Sequence, residues 1–347
     1  MTKPITSVAA MVWYEEEGAF DLRDPLEAYL PTFADAQVLA DGEARVDARP
    51  ARGPVRIWHL LTHTAGLSSE LGDDPVADAY RRVTSKAAAA GPLDLARRVD
   101  LWARQPLLFE PGTAWRYSNA TDVLGRLVEV VSGTTLDRFF AERIFEPLSM
   151  ADTTFRVPDE RLDRLAALHV PDAATRLAVP AGGGALAQHL RSGQPLGAPF
   201  EVLSGSAGLY STAGGYHRFC QMLLGGGSLD GERILGPRRV RTMITNPLPD
   251  GRRLDEVAVG GLSETSREGM GFGLGFSLVV DAARTNGLAS PGTVAWGGAA
   301  STEFWIDPTE GLAVLFFTQL LPSDTWPLRS RLRQLVYAAL VDEHLGG

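Results

Sequence analysis

Met1-Thr2-Lys3-Pro4-Ile5-Thr6-Ser7-Val8-Ala9-Ala10-Met11 opens the chain, and the rest of the sequence is organised around it. Pro4 has no N–H to donate and fits only the first turn of a helix, so a helix through Val8, Met11 and Val12 has to start near Met1. The Ser, Thr, Asp or Asn that usually caps such a helix falls one place ahead of Met1. Gly18, after Glu15-Glu16-Glu17, supplies a stop. The chain therefore begins inside a helix.

A length of 347 residues allows one large domain or two interleaved ones, and 45% hydrophobic with 22% charged residues is ordinary for a globular protein. The net charge of -9 argues against nucleic acid or an anionic membrane as partner. Lys3 and Lys86 are the only lysines, and a single cysteine, Cys220, excludes an intrachain disulfide and a cysteine-based metal cluster. Cys220 lies in a helical run and reads as a buried structural thiol. No stretch reads as a membrane span or secretory leader, and the expected location is cytoplasmic.

Further along, Phe20 to Pro25 reads as a turn and the next residues to Pro31 as a short helical piece. The stretch 34–54 has no sustained period and reads as a loop. His59 and His63 have the four-residue spacing of a zinc helix, but Leu60 stands where a metalloprotease needs its Glu, and no third ligand is nearby. A structural role, imidazole to local backbone, is expected of both, and no metal or cofactor is expected. Leu93 to Trp102 reads as an amphipathic helix. Glu110-Pro111-Gly112 forces a turn ahead of Tyr117-Ser118-Asn119, and Val123, Leu124, Leu127, Val128 and Val131 give a helix that stops at Gly133. A second helix runs from Leu136 through Phe145. The stretch 156–200, including Ala181-Gly182-Gly183-Gly184, carries no assignable element.

Ser204-Gly205-Ser206-Ala207-Gly208 invites comparison with a Gly-x-Ser-x-Gly nucleophile elbow. It lacks the first Gly and a preceding buried strand, and reads instead as a tight turn before a helix from Thr212. Gly271 to Val280 reads as one strand with glycines where another backbone comes close. The segments 293–300, 301–306 and 312–318, the last two joined by an Asp307–Gly311 turn, read as an antiparallel meander. Leu328 to His344 closes the chain as a helix. Helices in the middle and a sheet from the C-terminal part make an α+β protein.

Taken together these motifs resemble a known family. Met1-Thr2-Lys3 looks like the end of a Ser-x-x-Lys motif, Tyr117-Ser118-Asn119 like Tyr-x-Asn, and Trp296-Gly297-Gly298 like the third motif of the serine β-lactamase and penicillin-binding-protein superfamily. The similarity is to its class C-like branch, and most of all to the carboxylesterases called family VIII. His59-Leu60-Leu61-Thr62-His63-Thr64-Ala65-Gly66-Leu67, Glu110-Pro111-Gly112 and Phe145-Glu146-Pro147-Leu148 support it. The resemblance implies a β-lactamase/DD-peptidase-like fold, with an antiparallel sheet flanked by helices from 1–22 and 246–347, a mainly helical domain over 23–245, and the family's first sheet strands missing.

Carried over residue by residue, Lys3 and Tyr117 become the proton-relaying pair and Asn119 positions the substrate or Lys3. The strand bearing Trp296, Gly297 and Gly298 lines the cleft, and the Ala299 N–H is one oxyanion donor. The serine that the pair activates would stand three residues before Lys3, ahead of Met1, and no other Ser-x-x-Lys occurs, since Val83 stands three before Lys86. Loss of such a serine costs about 10⁶-fold in kcat, so the chain as given is expected to be inactive or nearly so. The preferred reading is a start assigned too late, and the other a truncated paralogue. Without the first strands, the Leu312–Thr318 strand would present a bare apolar edge, and poor solubility or a homodimer is expected. Trp296 replaces the Lys or His with which penicillin-recognising members open the third motif. The expectation is a carboxylesterase on small esters, through an acyl-enzyme. The enzymatic alternatives are a β-lactamase or a small-peptide amidase, and the non-enzymatic one is a pseudoenzyme binding module.

Overall fold

The structure is a computed structural model that describes residues 1–15, 20–40, 48–172, 175, 178–180, 202–260, 267–285, 288–323 and 325–341. Helix α1 (Thr2–Glu15) starts where Pro4 requires. Its Gly18 stop lies outside the described residues, as do Ala181–Gly184 and the final residues to His344. Every residue from Pro4 to Val12 is buried, so α1 is a core helix that is apolar nearly all round. Helices α2 (Ile57–Leu61), α3 (Pro75–Ala89), α4 (Leu95–Ala103), α5 (Ala120–Ser132) and α6 (Leu136–Phe140) follow. The last runs on into a π-helical turn, Ala141–Phe145. Asp74 caps α3 through the Ala77 N–H at 2.9 Å, and α5 ends at left-handed Gly133, φ 67°. α1 packs on both α5 and α6.

Helix α7 (Ala213–Leu224) is capped by Thr212, and α8 (Pro237–Met243) and α9 (Leu254–Val257) lead to the sheet. Its strands are β1 (Met270–Phe272), β2 (Ser277–Val279), β3 (Val294–Gly297), β4 (Glu303–Asp307) and β5 (Leu312–Phe316). They form an antiparallel meander in chain order, with β5 at one edge among the described residues. Helix α10 (Leu328–Ala338) closes the described chain. The expected α+β fold with its antiparallel sheet is what the chain forms.

Three local readings change. The run from Gly271 to Val280 is a hairpin, not one strand: Gly275 turns it at φ 95°, and a Cβ on Gly273 would lie 2.1 Å from the Met243 carbonyl oxygen. The close backbone approach was legible there, the reversal was not. The stretch 34–54 contains a short ribbon, Gln37–Leu39 against Ala48–Pro50. The closing helix α10 ends at Ala338, with Ala339 as its C-cap, short of the expected His344.

β4 alternates cleanly. Glu303, Trp305 and Asp307 face α10: Glu303 pairs with Arg333 at 2.7 Å, Trp305 stacks on Tyr337 at 6.4 Å, and the Tyr337 hydroxyl donates to Asp307 at 2.8 Å. Phe304 faces the other way, onto Tyr216 of α7 and Phe276. Trp296 of β3, opposite Phe304, shares that inner face.

Behind the Tyr117 loop lies a buried ionic knot. Arg116, 2% exposed, reaches Asp74 at 2.6 Å, Asp73 at 3.2 Å and the Val259 carbonyl at 3.2 Å. Asp74 also accepts from Ser68 Oγ at 2.7 Å. His59 within α2 and His63 just after it are both buried. His59 Nδ1 accepts from the Arg56 N–H at 3.0 Å, the local backbone bond expected. His63 sits at φ 54°, outside α2, and its Nδ1 meets Ser118 Oγ at 3.1 Å rather than local backbone. Among the described residues no group of three or more metal-ligating side chains forms.

Two outcomes are expected. Arg116→Met leaves the half-buried Asp74 without its cation, and chemical denaturation should show a loss of about 2 kcal/mol; a loss below about 1 kcal/mol would mean that the knot is dispensable. Burial, and then the Arg56 charge, lower His59 to about 4; burial, and then the Lys3 charge, lower His63 to about 3. The unfolded chain therefore takes up protons that the folded one refuses. Stability is full at pH 7 and falls as pH drops below about 6.5, by about 4 kcal/mol at pH 5 for the two together. Urea titrations at both pH values, with His59→Gln giving a shallower dependence, check this; a pH-independent midpoint contradicts it.

Candidate active site

The site forms where the N-terminus of α1 meets the end of β3. A Cβ on Gly298 would lie 3.5 Å from the Met1 nitrogen, so the positive end of the α1 dipole abuts the turn after Trp296-Gly297-Gly298. The 204–216 segment straps this helix end in place. Tyr216 donates to the Met1 carbonyl at 3.0 Å, the Leu209 N–H donates to Thr2 Oγ1 at 3.3 Å, and Thr6 donates to the Gly205 carbonyl at 2.6 Å.

Lys3 donates through Nζ to the Ser206 carbonyl at 3.2 Å and lies 4.9 Å from the centre of the Tyr117 ring. That places a cation over an aromatic face in a largely dry setting. Tyr117 in turn packs on Trp296 at 5.7 Å and on the His63 ring at 5.3 Å. Phe272 closes the group, 5.5 Å from both His63 and Trp296. The lowered affinity of His63 for a proton keeps it neutral, so it adds no second charge beside Lys3.

The residues singled out from sequence thus converge, with distinct placements. Lys3, Tyr117 and Trp296 are in contact or one ring apart. Asn119 sits at the N-terminus of α5, its N–H donating to the Ser68 carbonyl at 2.9 Å. Gly297 faces α10, where a Cβ would lie 2.7 Å from Arg329 Nη2, so it does not line the inner face. Gly298 faces α1, and Ala299 is exposed at the tip of the turn.

Several residues that hold the site were not legible in these roles. Ser204-Gly205-Ser206 is a turn, as read, but its carbonyls seat Thr6 and Lys3. Asp122 of α5 anchors it, accepting from Ser204 Oγ at 2.5 Å and the Ser206 N–H at 3.2 Å. Gly205 has to be glycine, because a Cβ would lie 2.3 Å from the Thr121 carbonyl oxygen. Ser206 Oγ is itself buried from solvent, which fits a supporting residue better than a nucleophile. A cavity of about 300 Å³ lies further along the same segment, lined by Thr153, Arg161, Arg164, Tyr210 and Thr212 among others. Asp152 neutralises both of its arginines.

Chemically, a lysine and a tyrosine in contact beside a helix N-terminus and an exposed backbone amide can activate a hydroxyl and stabilise an oxyanion. Known proteins are similar to this chain over most of its length. The family model described as Beta-lactamase matches residues 1–338. The chain is 30% identical, over a 352-residue alignment, to Esterase EstB of Burkholderia gladioli, covering 97% of this chain and 81% of that protein. It is 31% identical to Lovastatin esterase of Penicillium rubens, covering 93% and 79%. Among solved structures it is similar to EstCE1, a hydrolase with promiscuous acyltransferase activity, at TM-score 0.73 and 27% identity over 97% of this chain and 83% of that one. A chain matched by that one model from Met1 to Ala338, and sharing its sheet and helices with a solved hydrolase, belongs to the beta-lactamase family.

Proposed function

We propose that this protein is a carboxylesterase acting on small neutral esters through an acyl-enzyme. The observation that carries this is the uncharged indole of Trp296 standing against Tyr117, within one ring of Lys3. An ester's acyl or alcohol group packs on such a surface, whereas a carboxylate-bearing lactam would find no cation at that position. The names of the two esterase relatives point the same way.

The nucleophile this chemistry requires is the serine of the Ser-x-x-Lys motif whose lysine Lys3 resembles, three residues before Lys3. Tyr117, acting with Lys3, takes the serine proton as general base as Oγ attacks the ester carbonyl. The Ala299 N–H and the serine's own N–H hold the oxyanion. Tyr117 then protonates the departing alkoxide, and water, activated by the same pair, releases the acid. Asn119 keeps the Tyr117 loop and the substrate in register.

A comparison of two forms tests this: the 347-residue chain, and the same chain with one serine ahead of Met1. Hydrolysis of p-nitrophenyl butyrate is expected from the second and about 10⁶-fold less from the first. In the active form Lys3→Ala and Tyr117→Phe should each lower kcat by about 10²- to 10⁴-fold. Unchanged rates in either variant remove its assigned role. Fast nitrocefin turnover with inert esters replaces the esterase by a lactamase, and tight ester binding without turnover in both forms replaces it by a binding module.

A further inference from the structure

The hairpin between β3 and β4 ends in two consecutive alanines, Ala299 and Ala300, neither of which has a side chain able to hold a turn. Ser301 Oγ, donating to the Leu320 carbonyl at 2.8 Å, and the Leu320 N–H, donating to the Ala300 carbonyl at 3.1 Å, anchor the tip, and the tie between its two arms comes from α10. Arg329 donates through Nη2 to the Gly298 carbonyl at 2.7 Å and to the Thr302 carbonyl at 3.0 Å, so one guanidinium nitrogen ties both arms together. The hairpin's own bonds complete the frame: Ser301 N–H to the Gly298 carbonyl at 3.0 Å, and Gly298 N–H to the Thr302 carbonyl at 2.9 Å. Ser301 reverses the chain at φ 66°. One turn on, Arg333 makes the ion pair with Glu303 that an arginine on this face would ordinarily make.

In a trans peptide the C=O and the following N–H point in opposite directions. Since the Gly298 carbonyl is directed at Arg329, the Ala299 N–H is directed away from α10. The sheet's two faces say what lies there. Gly297 has no room for a Cβ because Arg329 occupies the space on the α10 side, whereas a Cβ on Gly298 would approach Met1 on the α1 side. The amide that reads as the oxyanion donor is thus aimed across the site by a residue on the opposite, α10 side of the strand. Hydrogen bonding of its carbonyl to a cation also polarises that peptide and strengthens the N–H as a donor.

We infer that Arg329 is a positioning residue for the oxyanion-binding peptide, fixing the Gly298–Ala299 amide so that its N–H faces the N-terminus of α1. The inference rests on the acyl-transfer reading of the site, and its test separates the two. In the serine-bearing form, Arg329→Ala should lower kcat for p-nitrophenyl butyrate about 100-fold, the scale of losing one oxyanion donor, with KM changed less than about threefold. Millimolar guanidinium should restore much of the rate, and Arg329→Lys, a point charge without the planar fork, should recover only part.

Independently of any turnover, ¹⁵N-alanine labelling of the 347-residue chain gives the residual dipolar coupling of the Ala299 N–H. This should change in Arg329→Ala while those of Ala9 and Ala120 stay fixed, and return with guanidinium. An unchanged Ala299 coupling overturns the inference, as does a rate loss that follows thermal stability and resists guanidinium. If the serine-bearing form hydrolyses no ester, the esterase reading fails, while the coupling still decides what Arg329 orients.

Discussion

The site depends on the burial of α1. A helix whose residues from Pro4 to Val12 are all buried has no freedom to rotate or slide, because any displacement would expose apolar surface and open cavities on every side. Its dipole and its first side chains are thereby fixed relative to the sheet. Ser7 shows how tightly: a Cβ on Gly275 would lie 2.1 Å from its hydroxyl oxygen, so the β1–β2 turn rests directly on the helix. Lys3 inherits this rigidity at its Cα, and the Ser206 carbonyl fixes its far end.

Because one helix sets the frame, its neighbours need only present atoms at its N-terminus. α5 contributes Asp122, which locks the turn carrying the Ser206 carbonyl. The Tyr117 loop is held from behind by Arg116 and from below by the bond from the Asn119 N–H to the Ser68 carbonyl. β3 contributes Trp296 on the inner face, while the outer face of the same strand is given over to α10. The period of two in β3 and β4 thus separates the inner face from the supported one: the aromatic residue looks inward, and the glycine beside it leaves room for Arg329.

This division explains what was legible in the sequence. Lys3, Tyr117 and Trp296 belong to short motifs whose residue types are dictated by local chemistry, and α5 and the meander have clear periodicity, so both could be read directly. The hairpin within 271–280 could not, because alternation looks the same along a continuous strand and along two short ones, and only the positive φ at Gly275 distinguishes them. His63, Asp122, Ser206 and Arg329 act on partners far away in sequence. Nothing in the spacing of Arg329 and Arg333 says that one meets a carboxylate and the other a pair of carbonyls. Such roles belong to the packing, and packing is where a single sequence is least explicit.

The electrostatics of the pocket follow from the same economy. Lys3 faces Tyr117, and behind that ring lie His63, Phe272 and Trp296, a wall with little to solvate a charge. In such a setting an interaction between an ammonium and a phenol is worth far more than in water, and a second cation would cancel much of it. His63 is the group that could have supplied that second charge. Burial keeps it neutral, and the charge of Lys3 reinforces the effect. Its strained left-handed backbone costs on the order of 1 kcal/mol. In exchange, Ser118 is held beside it by a hydrogen bond and Tyr117 by ring packing, so the histidine serves the site as an uncharged spacer.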